Sequence, residues 1–455
     1  MLRRGLIFAA LLAGGCNYTS PFSTGEHSYD IPPATHDAVK PNDLTKGKIA
    51  HVVIIVQENR TPDNLFQGLK GADIQSYALN SAGQQVPLRP VSLKAPYDVD
   101  HEHRAYAIES DSGAMNGFNL EHSSACKEPT GCPKIDVAAY GYVPSKETGP
   151  YFAMARQYAF GDRMFQTNEG PSFPAHQYLI SGTSTITQTS TLRAAENPFT
   201  PQQKYTGGCD SPAGSLALLI DTHGEELQET YPCYDRTTLM DLIAGKGLTW
   251  RYYEWRTGPG LWNAPDAIRH LQQSSQFSSE VVTPPSQVIT DISNGQLASV
   301  VWVTPTAKAS DHANITNGTG PSWVASVVNA VGESQYWDKT VVFVVWDDWG
   351  GWADHVSPPV YNSYELGFRV PVIVISAYSR KGYISHVAHE FGSILKFTEE
   401  AFDLGSLGST DVRSDDFADC FQFAHKPRAF KKIPAPLGAG YFLHEPVGNE
   451  PPDDD

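Results

Sequence analysis

Four stretches of the chain are apolar at nearly every position and lack the in–out alternation of a half-buried strand. His51-Val52-Val53-Ile54-Ile55-Val56, Val341-Val342-Phe343-Val344-Val345-Trp346 and Val370-Pro371-Val372-Ile373-Val374-Ile375 are continuous, and residues 298–304 form a weaker fourth. Runs of this kind are strands covered on both faces, the condition of a parallel sheet between helices. Helical stretches are predicted over residues 151–158, 238–244 and 323–331. The alternation predicts an α/β fold, a mostly parallel central sheet sandwiched by helices. Residues 185–235 break the rhythm with polar and turn residues, and are expected to form a surface insertion or cap.

The two ends read differently. Met1-Leu2-Arg3-Arg4, an apolar run over residues 6–13 and small residues before Cys16 make an export signal of residues 1–16. Leu12-Ala13-Gly14-Gly15-Cys16 resembles a bacterial lipoprotein processing site, with one glycine more than the usual pattern. Neither this run nor any later stretch is long enough to span a bilayer. Residues 17–47, rich in Ser, Thr, Pro, Asp and Asn, are expected to be a flexible tether. Residues 48–445 are the expected folded body, and 446–455 a disordered tail ending in three aspartates. The sequence has no internal repeat.

Composition narrows the functions. The 455 residues are 40% hydrophobic and 18% charged, enough for a substantial core, and the formal net charge is −17. That charge disfavours a general nucleic-acid binder, which needs a basic stripe. A phosphate substrate stays open, because a bound metal ion overturns the local field. Cys126 with Cys132, and Cys209 with Cys233, are plausible disulfides after export, leaving Cys420 free. No tight two-residue cysteine spacing suggests zinc.

Two of the strongest strands run into polar clusters, Gln57-Glu58-Asn59-Arg60 and Asp347-Asp348-Trp349-Gly350-Gly351. Open α/β sheets place their sites outside the carboxyl ends of strands. Either cluster alone also fits solvent-exposed loop acids. Together they suit one divalent cation shared by Glu58, Asn59, Asp347 and Asp348. Asp-His pairs recur at Asp100-His101, Asp311-His312 and Asp354-His355, with His103 two residues beyond the first. Carboxylates orient imidazoles and keep them basic, for metal binding, for holding a phosphoryl oxygen or for protonating a leaving group. Ser172, in Gly170-Pro171-Ser172-Phe173-Pro174-Ala175-His176, sits in a stiff turn that suits either an aimed hydroxyl or an ordinary structural bend.

Taken together these motifs resemble the bacterial phosphoesterase family of acid phosphatases and phospholipases C, within the alkaline phosphatase superfamily. The matching segments are Val53 to Arg60, Asp100-His101 with Gly113 to Phe118, Gly170 to Pro174 with Tyr178 to Thr183, Asp311-His312, and Trp346 to Pro359. They follow the family's order and span residues 50 to about 405. The resemblance implies an alkaline-phosphatase-like fold and one divalent metal ion held by Glu58, Asn59, Asp347 and Asp348. It makes Ser172 the nucleophile and a further metal contact, with His101, His312 and His355 around the phosphoryl group. His103 has the lesser claim, and Arg60 is left outside the site. Two departures are visible: Thr61-Pro62 stands where the family has Ser-Phe, and Ala175-His176 stands where phospholipase members often carry Asn-Arg.

The expected chemistry is a two-step displacement through a phosphoserine, with a histidine protonating the leaving alcohol. Oxygen ligands favour calcium, magnesium or manganese; a histidine ligand admits zinc or iron. The serine and the absent Asn-Arg put an acid-phosphatase-like monoesterase first. A phospholipase C-type phosphodiesterase is the alternative, with Trp250, Tyr252, Tyr253 and Trp255 as an aromatic wall for a headgroup. A non-catalytic surface binding protein is the lower one. The expected partner is a small phosphate ester or phospholipid headgroup, with no nucleic acid and a membrane only through a lipid on Cys16. The expected place is the periplasm, the outer membrane or the medium of a bacterium.

Overall fold

The computed structural model describes residues 44–122, 126 and 132–446. The export signal, most of the tether and the tail beyond residue 446 lie outside the described residues. Eight strands form the main sheet: β1 (His51–Gln57), β2 (Ala159–Gly161), β3 (Trp250–Tyr253), β4 (Val281–Val282), β5 (Val300–Val303), β6 (Thr340–Trp346), β7 (Val372–Ser376) and β8 (Tyr383–Ser385). Their order is β4-β3-β5-β1-β6-β7-β2-β8. Every pairing is parallel except those of β7, which runs against both β6 and β2. The four apolar runs all became strands here, so the fold is α/β with a mostly parallel sheet.

The run β1 is central, and Val52 to Val56 have no exposed surface. Burying each such side chain stabilises the fold by about 1.5–3 kcal/mol, before chain entropy is subtracted. Helices α1 (His103–Ser110), α2 (Gly149–Gln157), α3 (Ser172–Ser181), α4 (Leu239–Gly245), α5 (Gln287–Ser293), α6 (Gly320–Gly332) and α7 (Phe391–Phe402) are the longer ones. Six of them pack in two groups, α3 with α4 and α7, and α6 with α2 and α5. The predicted helices correspond to α2, α4 and α6. Helix α4 starts where it does because Thr238 and Asp241 form a capping box that satisfies two otherwise orphaned N–H groups.

Residues 185–235 contain a small antiparallel sheet of Arg193–Ala194, Ala217–Ile220 and Gln228–Thr230. Beneath it lies a separate apolar cluster with Phe173, Leu219, Tyr234, Trp255 and Trp262. The disulfides are Cys126–Cys132 and Cys209–Cys233, and Cys420 is free and buried. No helix among the described residues is long and apolar enough to cross a membrane.

Candidate active site

The register of the two central strands creates the site. Gln57 of β1 pairs with Trp346 of the adjacent parallel strand β6, and the Asp347 N–H donates to the Gln57 carbonyl over 2.9 Å. Glu58-Asn59 and Asp347-Asp348 therefore leave the sheet side by side at its carboxyl edge. Asn59 takes a left-handed conformation at φ 62°, which asparagine tolerates better than most residues. Gly350 packs on it so closely that a Cβ there would lie 2.4 Å from the Asn59 carbonyl oxygen. Gly350 is thus required by the approach of the two loops, and Gly351 by Val99, which a Cβ there would meet at 2.5 Å.

Hydrogen bonding then decides where each oxygen points. The Asn59 amide donates to His101 Nε2 at 2.9 Å and to Asp348 Oδ1 at 3.1 Å, which uses both its hydrogens. Asp348 Oδ1 also accepts from the Gly350 N–H at 2.8 Å, and Asp347 Oδ1 from the Asn59 N–H at 3.1 Å. Asn59 Oδ1 and Asp347 Oδ2 are buried and have no hydrogen-bond partner among the described residues. Buried acceptors left this way are costly, and a carboxylate oxygen most of all.

Ser172 is the first residue of α3, so its hydroxyl lies at the positive end of a ten-residue helix. Its Oγ is 3.3 Å from both Glu58 Oε2 and Asp348 Oδ2. One hydroxyl hydrogen serves only one of these two oxygens. One turn along the same helix, His176 Nε2 is 3.3 Å from Glu58 Oε1 and 3.8 Å from Asp347 Oδ2. Burial pushes the His176 pKa down to about 4, against the pull of Asp347, so the ring is neutral near pH 7. Glu58, His176 and Asp347 offer ligand atoms all within 4.8 Å of one another. Acceptors crowd this pocket, two lack donors, and the imidazole beside them carries no charge. The donor set fits a divalent cation.

Two of the expected histidines join this group. His101 Nδ1 donates to the Val99 carbonyl at 2.8 Å, which fixes the tautomer that accepts from Asn59 at Nε2. His312 lies next to it, with ring centroids 5.7 Å apart, and its Nδ1 is 2.7 Å from the Ala313 carbonyl and 3.5 Å from Asp98 Oδ2. Arg60 turns away. Its guanidinium donates to the carbonyls of Asp311 and Leu93 and to Asn64, bracing the segment that carries His312.

His355 is placed elsewhere. Its Nδ1 meets Asp63 at 2.6 Å and its Nε2 meets Asp73 at 3.1 Å, in a group where Arg369 grips Asp354 through two bonds of 2.8 and 2.9 Å. His103 pairs with Glu226 at 2.7 Å and lies 3.7 Å from Glu169. Burial opposes its charge, but these two carboxylates outweigh it and push its pKa up to about 10. Of the four aromatic residues, all of them buried, Tyr252 reaches the site through His176 Nδ1 at 3.2 Å, while Tyr253 donates to Asp291 on the other face of β3. Sequence reasoning passed over His176, although its spacing of four from Ser172 puts both on one helix face.

The Phosphoesterase family profile matches residues 49–405. The chain is 24% identical to the non-hemolytic phospholipase C of Pseudomonas aeruginosa over 83% of this chain and 58% of that protein. It is 22% identical to phospholipase C A of Mycobacterium tuberculosis, over 84% of this chain and 78% of that one. The chain thus spans less than two thirds of the Pseudomonas protein's length. A solved protein of the alkaline phosphatase superfamily from Vibrio parahaemolyticus is similar at 12% identity and a TM-score of 0.37, over 81% of this chain and 70% of that one. With a family match running from the strand before Glu58 to beyond α7, the chain belongs to the Phosphoesterase family.

Proposed function

We propose that this chain is a metal-dependent phosphoric ester hydrolase that cleaves phosphodiesters in the manner of a phospholipase C, through a phosphoserine intermediate on Ser172. The observation that carries the reading is the pair of buried, unpartnered oxygens, Asn59 Oδ1 and Asp347 Oδ2, beside a serine hydroxyl at a helix N-terminus. The matched relatives named as phospholipases C favour the diester over the monoester that Ala175-His176 suggested.

Glu58, Asn59, Asp347 and Asp348 would hold the metal, with Ser172 touching it. When bound, such an ion polarises phosphoryl oxygens and lowers the pKa of the serine hydroxyl. Ser172 Oγ attacks phosphorus, its proton passing to a neighbouring carboxylate. The new Oγ–P bond replaces the ester bond to the leaving alcohol. His312, held at Nδ1 by the Ala313 carbonyl and Asp98, protonates that alcohol, while His101 fixes the Asn59 amide and so the direction of its oxygen. Water then attacks the phosphoserine, giving a phosphomonoester and restoring the hydroxyl. The amide end of α3 favours negative charge at both steps. His355 is left with the Asp63–Asp73–Arg369 group.

The remaining organisation follows the same reading. Residues 1–16 direct export from a bacterial cell, 17–47 tether the 48–445 body, and 185–235 cap it, with a membrane reached only through a lipid on Cys16 and a tail over 446–455. The test is hydrolysis of p-nitrophenyl phosphorylcholine beside p-nitrophenyl phosphate, with wild type, Ser172→Ala and chelated enzyme. Diester cleavage lost in the variant and on chelation is expected. Full activity in Ser172→Ala would sink the nucleophile, and a clear preference for the monoester would restore the phosphatase.

A further inference from the structure

We propose that His176 is itself a ligand of the metal, and that this nitrogen makes the site one for a borderline first-row ion such as zinc or iron(II), not for calcium or magnesium. The proposal rests on the metal-dependent reading above.

The tautomer carries the argument. Tyr252 donates its hydroxyl hydrogen to the Trp262 carbonyl over 2.6 Å, so toward His176 Nδ1, 3.2 Å away, it acts as acceptor. Nδ1 therefore bears the ring hydrogen and Nε2 bears the lone pair. That lone pair faces Glu58 Oε1 at 3.3 Å and Asp347 Oδ2 at 3.8 Å, and the latter oxygen has no hydrogen-bond partner among the described residues. Three acceptors pointed at one another repel unless a cation sits between them. Ligands about 2.0–2.2 Å from one ion lie roughly 3–3.6 Å from each other, close to the spacings found here and around Ser172 Oγ. The Nδ1–H···Tyr252 bond supplies the outer partner that metal-bound imidazoles use to hold their tautomer. His176, Glu58 and Asp347 are fully buried, so two carboxylates left there without a cation would be costly.

A hard ion surrounded by oxygens gains little from imidazole, whereas zinc and iron(II) gain much; manganese(II) serves below as the paramagnetic reporter of the nitrogen. The decisive measurement is electron spin echo modulation of the manganese(II)-loaded wild-type chain. A nitrogen coupled strongly enough to be a direct ligand is expected, and it should vanish in His176→Gln. Wild-type protein without that coupling overturns the proposal even if the variant fails to fold. In parallel, zinc and calcium affinities of the stripped protein are compared. Zinc binding should fall at least about tenfold in His176→Gln, with calcium within a few-fold of wild type. An equal fall for both ions would reduce His176 to a packing residue. Asp347→Asn separates the two readings: metal binding indifferent to it defeats the proposed function too, whereas Asp347-dependent binding without nitrogen coupling defeats only the ligand assignment.

Discussion

Two groups of buried acids flank one loop, and they are built on opposite electrostatic plans. Asp347 and Asp348 begin the loop and meet Glu58, Asn59, Ser172 and His176. Asp354 and His355, a few residues on, meet Asp63, Asp73 and Arg369. In the second group a guanidinium with no exposed surface neutralises Asp354 and approaches Asp63 at 3.4 Å. In the first, the basic side chain against Glu58 and Asp347 is a neutral imidazole, and Asp347 Oδ2 and Asn59 Oδ1 have no donor. A buried carboxylate accompanied by its own cation is architecture; a cluster of acceptors around a neutral imidazole and a serine hydroxyl suits a cation from outside.

Four measurements distinguish the two groups of acids. Removing the hydroxyl in Ser172→Ala should lower diester hydrolysis by at least about four orders of magnitude without lowering stability in urea melts. A fall in stability of the same size would make Ser172 structural. Arg369→Met should do the reverse, costing about 3–5 kcal/mol because it strands Asp354 and Asp63, and Asp354→Asn in the same chain should recover part of that. Denaturant titration of both variants decides it.

Chelation should separate the groups next. It should destabilise wild type by about 2–3 kcal/mol relative to protein at a hundredfold excess of metal over Kd, seen as a drop in Tm. Metal-free Asp347→Asn should be at least as stable as metal-free wild type, since the substitution deletes an unneutralised charge. An unchanged wild-type Tm would mean that the acids are already balanced.

The smallest effect concerns His355. Burial works against its charge, but the hydrogen bond and charge of Asp63 prevail and raise its pKa above the ordinary value. A raised histidine pKa adds stability that is fully present below the unfolded value of about 6.5 and is lost as pH rises through the folded value. His355→Gln should therefore cost about 1 kcal/mol or less near pH 5.5, discounted for solvent screening, and nothing measurable well above the raised pKa. A cost that grows with pH would contradict the pairing with Asp63 and Asp73.

Much of the fold was legible because β1, β6 and β7 are short, continuous apolar runs rich in valine and isoleucine, the combination that favours a strand covered on both faces over a buried helix. The polar residues directly after β1 and β6 were legible as site candidates for the same reason: the strand ends where the apolar run ends. His101 lies beside Asn59 and His312 next to His101, but their rings are turned by the Val99 carbonyl and by the Ala313 carbonyl with Asp98, while the Asp311 carboxylate goes to Tyr151 and Trp346. His355 carries the same Asp-His signature, yet its ring is turned toward Asp63 and Asp73, which lie far from it in sequence. Only folding brings those partners in. His176 shows the converse, since its one local signal was the four-residue spacing from Ser172, and its meaning depends on Tyr252 and Glu58.

Hydrophobic period and run length are local properties of the chain, and they set the layered α/β class and the strand ends that carry the acids; the helix that begins at Ser172, where the residues suggested only a stiff turn, did not show in them. Tertiary structure alone decided the rest. It set Gln57 opposite Trp346, reversed β7 against its neighbours, turned Arg60 into a brace and sent Arg369 to one acid group and not the other. Those outcomes depend on which distant oxygen finds a donor once water is excluded, and that choice is made between residues up to about three hundred positions apart.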